Sequence, residues 1–246
     1  MVNNIAILGG SGAIGRAFTK HFSFLYSNAT INVFSRQKPE KVLPNVKYHI
    51  INYHDEVSIN ESSFIASKKD PLDMVIVTTG ILHDGELPPE KSLKDLSEEK
   101  FQRIFEVNTV VPLLIAKHFL PKMNREKKSI FAALSARVGS ISDNQLGGWY
   151  SYRSSKAALN MVIKNLAIEI SRSNKNAIIV GLHPGTVDSN LSKPFQGNVP
   201  HGKLFTPEYS TQKLLEVLSS LTSKQSGKCF AWDGNCLLYT SPSPRD

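Results

Sequence analysis

Short, uninterrupted apolar runs alternate along the chain with longer stretches of helical period. Ile5-Ala6-Ile7-Leu8, Ile31-Asn32-Val33-Phe34, Tyr48-His49-Ile50-Ile51, Met74-Val75-Ile76-Val77, Ile130-Phe131-Ala132-Ala133-Leu134 and 177–182 predict six strands. A last one falls near Cys229-Phe230-Ala231-Trp232. Between them the period predicts helices over 14–25, 98–123, 152–171 and 207–221, the third with a stripe of Ala157, Leu159, Val162, Leu166 and Ile170. Pro112 lies inside the second and is expected to kink it. Strands that are apolar at every position, rather than at alternate ones, belong to a parallel sheet covered on both sides. The expectation is an α/β fold: a single Rossmann-type doubly wound parallel β-sheet with helices on both faces, over residues 1–235. Ligands of such sheets bind at the carboxyl ends of the strands, so the residues after each strand are the ones to inspect.

The first strand is followed by Gly9-Gly10-Ser11-Gly12-Ala13-Ile14-Gly15, which opens the first helix. Glycine allows positive φ and close backbone approach. A helix N-terminus offers free N–H groups and a positive dipole end to a pyrophosphate. The segment Gly9, Ser11, Gly12, Ala13, Ile14 and Gly15 is therefore a candidate phosphate cradle. The second strand ends in Ser35-Arg36. A carboxylate there would bind a ribose 2′-hydroxyl and repel a 2′-phosphate, whereas Arg36 and Ser35 suit the phosphate. This predicts NADP(H) in preference to NAD(H).

Tyr152 and Lys156 stand four residues apart, on one face of the third predicted helix. A free phenol titrates near 10, too high for efficient proton exchange at neutral pH, and a neighbouring cation is expected to lower it. With these residues the chain resembles the short-chain dehydrogenase/reductase family over residues 3–235. Gly9, Ala13 and Gly15 match its glycine loop, with alanine at the middle glycine. Tyr152 and Lys156 match its catalytic pair, and Asn108 matches the asparagine that supports its proton relay. Pro184-Gly185-Thr186-Val187-Asp188-Ser189 matches the turn that holds the nicotinamide carboxamide, placing Pro184, Gly185, Val187 and Ser189 at the cofactor. Asn52-Tyr53 sits where the family has Asp-Val beside the adenine. Thr78-Thr79-Gly80 replaces its usual Asn-Ala-Gly, with Thr79 and Gly80 at the cofactor. The segment 135–141 and Gly147-Gly148-Trp149-Tyr150 look most like the C-factor/sniffer-type carbonyl reductase branch.

The resemblance implies hydride transfer between the dinucleotide and a small carbonyl or alcohol substrate, with homodimeric or homotetrameric assembly. Its second catalytic-loop serine is Ala136 here. Ser135 is therefore taken as the group that polarises the substrate oxygen, with Ser140 as the alternative. A second reading is a cofactor-binding regulatory protein of the C-factor type with little turnover. Trp149 and Tyr150 are candidate pocket walls, His183 faces the expected site, and 190–205 is a candidate lid.

Composition narrows the picture further. Hydrophobic residues make up 41% and charged residues 20%, ordinary values for a folded domain. No run long and apolar enough to cross a bilayer and no export signal is expected, and Cys229 and Cys236 read as free thiols, which together predict a cytoplasmic protein. No metal motif occurs. The +8 formal charge is scattered, its densest run being 122–128, and reads as solvated surface rather than a nucleic-acid or membrane site. The segment 236–246 breaks the pattern and is expected to be a disordered or non-native tail.

Overall fold

A computed structural model describes residues 2–39, 42–83 and 88–237. The elements run β1 (Asn4–Leu8), α1 (Ala13–Leu25), β2 (Thr30–Ser35), β3 (Val46–Ile50), α2 (Glu56–Ser67), β4 (Met74–Val77), α3 (Glu98–Phe105), α4 (Val111–Phe119), β5 (Ser129–Leu134), α5 (Tyr150–Ile170), β6 (Ala177–His183), β7 (Thr186–Val187), β8 (Leu204–Phe205), α6 (Pro207–Ser220), β9 (Cys229–Ala231) and β10 (Cys236–Leu237). Eight strands form one sheet in the order β10-β9-β6-β5-β4-β1-β2-β3, parallel except for the β9–β10 pair. Strand order reverses between β1 and β4, which opens a crevice above their carboxyl ends, the place where such sheets bind ligands.

The sheet's core strands are buried on both faces, as the non-alternating runs predict. Along β1, Ala6 and Leu8 pack with Ile59 of α2, Ile115 and Phe119 of α4, and Leu159 and Ile163 of α5. Ile5 and Ile7 pack on the opposite side with Phe18 and Phe22 of α1 and Leu214 and Leu218 of α6. This is a Rossmann-like α/β fold.

The structure departs from expectation at four places. The predicted 98–123 helix carries a π-helical segment, Glu106–Val110, just before Pro112. Pro112 has no N–H for the Asn108 carbonyl, its regular i−4 partner, and the chain widens there to bond Val111 N–H to the Glu106 carbonyl. The composite helix Glu98–Lys122 also meets the length and apolarity needed to span a bilayer, contrary to expectation; half of that apolar stretch is buried, with Ile115, Ala116 and Phe119 against the sheet. Helix α2 had no apolar stripe to reveal it; its sequence signal is Asp55, whose side chain caps the Val57 N–H. Finally, Cys236 and Leu237 belong to the sheet, paired with Phe230 and Cys229, so the ordered chain extends past 235. The rest of the expected tail, 238–246, lies outside the described residues.

Candidate functional site

The glycine turn after β1 is built by contacts that exclude side chains. Gly9 has φ +94°, and a Cβ there would lie 2.7 Å from Thr78 Oγ1; a Cβ on Gly15 would lie 2.3 Å from the Gly9 carbonyl. Gly12 precedes α1 with no side-chain cap, so the N–H groups of Ala13, Ile14 and Gly15 face the crevice without an intrahelical partner. The loop is tied down at its base. Gly9 N–H donates to the Phe34 carbonyl (3.0 Å) and to the Tyr53 phenol oxygen (2.6 Å), and the Tyr53 hydroxyl donates to the same carbonyl (3.0 Å). Tyr53 is thus a buried bolt between the phosphate loop and the end of β2, and burial pushes its pKa well above the ordinary range for a phenol. Asn52 is exposed and its Oδ1 accepts from His54 N–H. Arg36 stands exposed just past β2. Ser35 is buried and donates its proton to the Gln37 carbonyl, which leaves Arg36 the donor available to a 2′-phosphate.

Across the crevice, Thr78 Oγ1 donates to the carbonyls of Leu8 and Gly9, closing β4 onto β1. Thr79 Oγ1, just past the end of β4, is buried and has no hydrogen-bond partner. The Cβ position of Gly80 lies 3.5 Å from both Asn108 Oδ1 and Lys156 Nζ, so these three residues meet. Asn108 is fully buried. Its Oδ1 accepts from Ile81 N–H (2.9 Å), and its Nδ2 donates to the Ile81 carbonyl (2.8 Å) and to Ser155 Oγ (3.1 Å). The side chain clamps the segment after β4 against α5.

Helix α5 begins at Tyr150, two residues before the predicted start. Trp149 caps it at φ +49°, the one non-glycine residue with positive φ among the described residues. Its N–H donates to the Glu90 carbonyl (2.6 Å); the Glu90 carboxylate accepts from Ser151 Oγ and lies 3.8 Å from Lys100 Nζ, all nearly inaccessible to solvent. This buried pair, which periodicity alone does not reveal, sets where α5 starts. Trp149 packs on Tyr152 (6.3 Å between ring centres) and Phe195 (5.1 Å), and Phe195 lies in the short helical turn Lys193–Asn198 of the candidate lid.

Burial pushes the Tyr152 phenol up to about 12. The expectation that Lys156 sets this pKa is therefore corrected: desolvation dominates. Lys156 lies nearly inaccessible, donates to the Leu134 carbonyl (2.9 Å), and stands 5.7 Å from the Tyr152 ring centre; burial lowers it to about 8. The Ser135 hydroxyl is engaged: it donates to Asn160 Oδ1 (2.6 Å) in the interior. Asn160 lies about two turns beyond Tyr152 on the same helix, and its Nδ2 donates to the Gly139 carbonyl (3.3 Å). The turn Arg137–Gly139 then climbs back: the Cβ position of Gly139 lies 2.8 Å from the Lys156 backbone, and buried Ser140 follows it.

Past β6, Gly185 has φ +75° and a Cβ there would meet the Phe205 ring at 2.6 Å. Thr186–Val187 pairs with Leu204–Phe205, and Ser210 Oγ donates to the Pro184 carbonyl (2.7 Å), so the turn is held from two sides. Ser189 Oγ donates to the Val187 carbonyl (3.2 Å). His183 Nδ1 is a second buried atom without a partner; burial, with Arg137 nearby, lowers its pKa to about 4. Cys229 and Cys236 are both free, and no cluster of metal-binding side chains exists among the described residues.

The comparisons with known proteins agree with this geometry. A family profile described as short chain dehydrogenase matches residues 3–199. The 1-hydroxy-2-glutathionyl-2-methyl-3-butene dehydrogenase of Rhodococcus sp. is 33% identical, over 71% of this chain and 72% of its own. The C-signal protein of Myxococcus xanthus is 30% identical over 58% and 81%. Among solved structures, the carbonyl reductase Sniffer of D. melanogaster superposes with a TM-score of 0.83 over 97% of this chain and all of its own, at 23% identity. An NADPH-bound carbonyl reductase from chicken fatty liver gives 0.81 over 96% and 94%, at 22%. With its glycine turn, Tyr152–Lys156 pair and Pro184-Gly185 turn on one crevice, the chain belongs to the short-chain dehydrogenase family, is similar in sequence to C-signal and shares the fold of the Sniffer carbonyl reductase.

Proposed function

We propose that this protein is an NADP(H)-dependent oxidoreductase that interconverts a small carbonyl compound and its alcohol, with Tyr152 as the acid and base. The observation that carries it is the meeting of Lys156, Gly80 and Asn108 one helical turn from Tyr152, beside the orphaned Thr79 hydroxyl. The residues present fit a nicotinamide dinucleotide: glycines a Cβ would block, free N–H groups at α1, an unpartnered hydroxyl, and Arg36 without a competing carboxylate. The bound dinucleotide supplies or accepts the hydride.

The protein handles the proton and the geometry. A phenol near 12 is protonated at neutral pH, so Tyr152 holds the proton that the substrate oxygen needs. The Lys156 ammonium lies close enough to favour the phenolate as that proton leaves. Ser140 is favoured over Ser135 for the substrate oxygen, because the Ser135 hydroxyl is committed to Asn160 and Ser140 follows Gly139, which packs on the Lys156 backbone. Exposed Phe101, Val110, Leu113 and Met161 on the outer faces of α3–α5 support homo-oligomer formation.

Tyr152→Phe tests this reading. It should cut NADPH-dependent carbonyl reduction by about three orders of magnitude and leave NADPH binding, read by quenching of Trp149 and Trp232 fluorescence, within about twofold. Retained reduction would overturn the assignment. Cofactor binding without turnover across a broad carbonyl panel would favour the regulatory reading that the C-signal similarity suggests.

A further inference from the structure

The lysines and arginines that look scattered along the chain are gathered by the topology. In a parallel sheet, each connection that leaves a helix and enters a strand lies at the N-terminal edge, opposite the cofactor crevice. Four such connections, 68–73, 120–128, 171–176 and 221–228, carry ten Lys and Arg against three carboxylates (Asp70, Asp73 and Glu126), in a chain whose formal charge is +8. This edge alone thus holds an excess of seven positive charges.

The connections are also stitched together. Leu72 N–H donates to the Lys122 carbonyl (2.9 Å), Asn124 N–H to the Leu72 carbonyl (2.8 Å) and Asn176 Nδ2 to the Arg125 carbonyl (2.7 Å). Asp73 is buried and bound to Lys127. Lys68, Lys69, Arg125, Arg172 and Lys175 form no ion pair among the described residues. Between the first two connections and the end of α2 runs an open groove of about 1240 Å³, walled by Phe64 and Ile65 and flanked by Lys68, Lys69, Lys122 and Arg125. Phe64 and Ile65 are 54% and 47% exposed, and the Lys122 ammonium sits 3.7 Å above the Phe64 ring.

A patch with so large an excess of one sign repels itself and disfavours the compact state, although Asp70 and Glu126 also line the groove, and nothing in the oxidoreductase chemistry at the opposite edge uses it. We propose that this groove docks an acidic polypeptide segment of a partner protein, with an apolar side chain of that segment seated on Phe64 and Ile65. Its carboxylates meet Lys68, Lys69 and Arg125, and charge complementarity sets its register and on-rate. A concave groove with one apolar wall suits an extended chain better than a lipid surface, which is met by projecting faces.

The test is fluorescence anisotropy with a labelled peptide of about twelve residues, rich in Asp and Glu around a central Phe, and its Asn/Gln analogue. The acidic peptide should bind saturably, weaken roughly tenfold or more from about 0.05 M to 0.5 M salt, and bind at least about tenfold better than the analogue. The double variant Lys69→Glu/Arg125→Glu should lose that binding, and Lys69→Gln/Arg125→Gln should weaken it, both with native circular dichroism and unchanged NADPH binding. No saturable binding, binding indifferent to the charge reversal, or tighter binding to phosphatidylserine vesicles or to oligo(dT) would overturn it. Because the readout is peptide binding, the outcome is independent of whether the site reduces carbonyls.

Discussion

Lys156→Met removes a charge that the fold holds at a disadvantage. Lys156 is nearly inaccessible and its ammonium has one protein acceptor, the Leu134 carbonyl at 2.9 Å. Burial lowers its pKa from 10.5 to about 8. Holding the charged form below pH 8 therefore costs on the order of 3 kcal/mol. Methionine fills similar volume and gives up that hydrogen bond, worth about 1 kcal/mol. The variant should thus be more stable at pH 7 by roughly 2 kcal/mol, or some 4–8 °C in Tm for a domain of this size, while carbonyl reduction is lost. The pH dependence carries the sign. Between pH 8 and 10.5 the unfolded chain keeps a proton that the folded chain has lost, so wild-type stability rises with pH relative to the variant. The gap is full below pH 8 and closes above about 10.5. Thermal and urea unfolding of both proteins from pH 7 to 10.5 measures it. A variant less stable than wild type at pH 7, with a gap that does not change with pH, would refute the reasoning.

Two further substitutions separate roles within the site. Ser140→Ala should lower kcat for carbonyl reduction about tenfold to a hundredfold, whereas Ser135→Ala should chiefly lower stability, by about 1 kcal/mol, through the lost bond to Asn160; unfolding curves and initial rates on both variants distinguish them, and the reverse pattern would restore Ser135. Tyr53→Phe should raise KM for NADPH several-fold with kcat little changed, since it frees the loop at Gly9 without touching the substrate; an unchanged KM would deny the bolt a role in cofactor binding.

The parts of this protein legible in its sequence are those governed by local rules. Uninterrupted apolar runs predicted seven of the eight strands of the sheet, β10 being the one missed, and glycines after β1 predicted the turn, because a Cβ on Gly9 or Gly15 would meet backbone or Thr78. Parts that depend on long-range contacts were not legible. The bonds that tie the Tyr53 hydroxyl to Gly9 and Phe34 join residues far apart in sequence. The π-helical segment at Asn108 depends on how the chain widens ahead of Pro112, which periodicity does not reveal. The bond from Ser135 to Asn160, a partner 25 positions away, was equally hidden. The basic edge was invisible for the same reason: its four connections are far apart in sequence and adjacent only in the sheet.

The central claim is that Tyr152 and Lys156 serve hydride transfer to a carbonyl carbon. The most direct measurement is mass spectrometry of the alcohol formed from a ketone panel with 4-deuterated NADPH, run beside 4-deuterated NADH. The account predicts deuterium on the carbinol carbon of at least one product, more from NADPH than from NADH, and none with Tyr152→Phe. Bound NADPH with no labelled alcohol from any ketone, or label transfer undiminished in Tyr152→Phe, would contradict it.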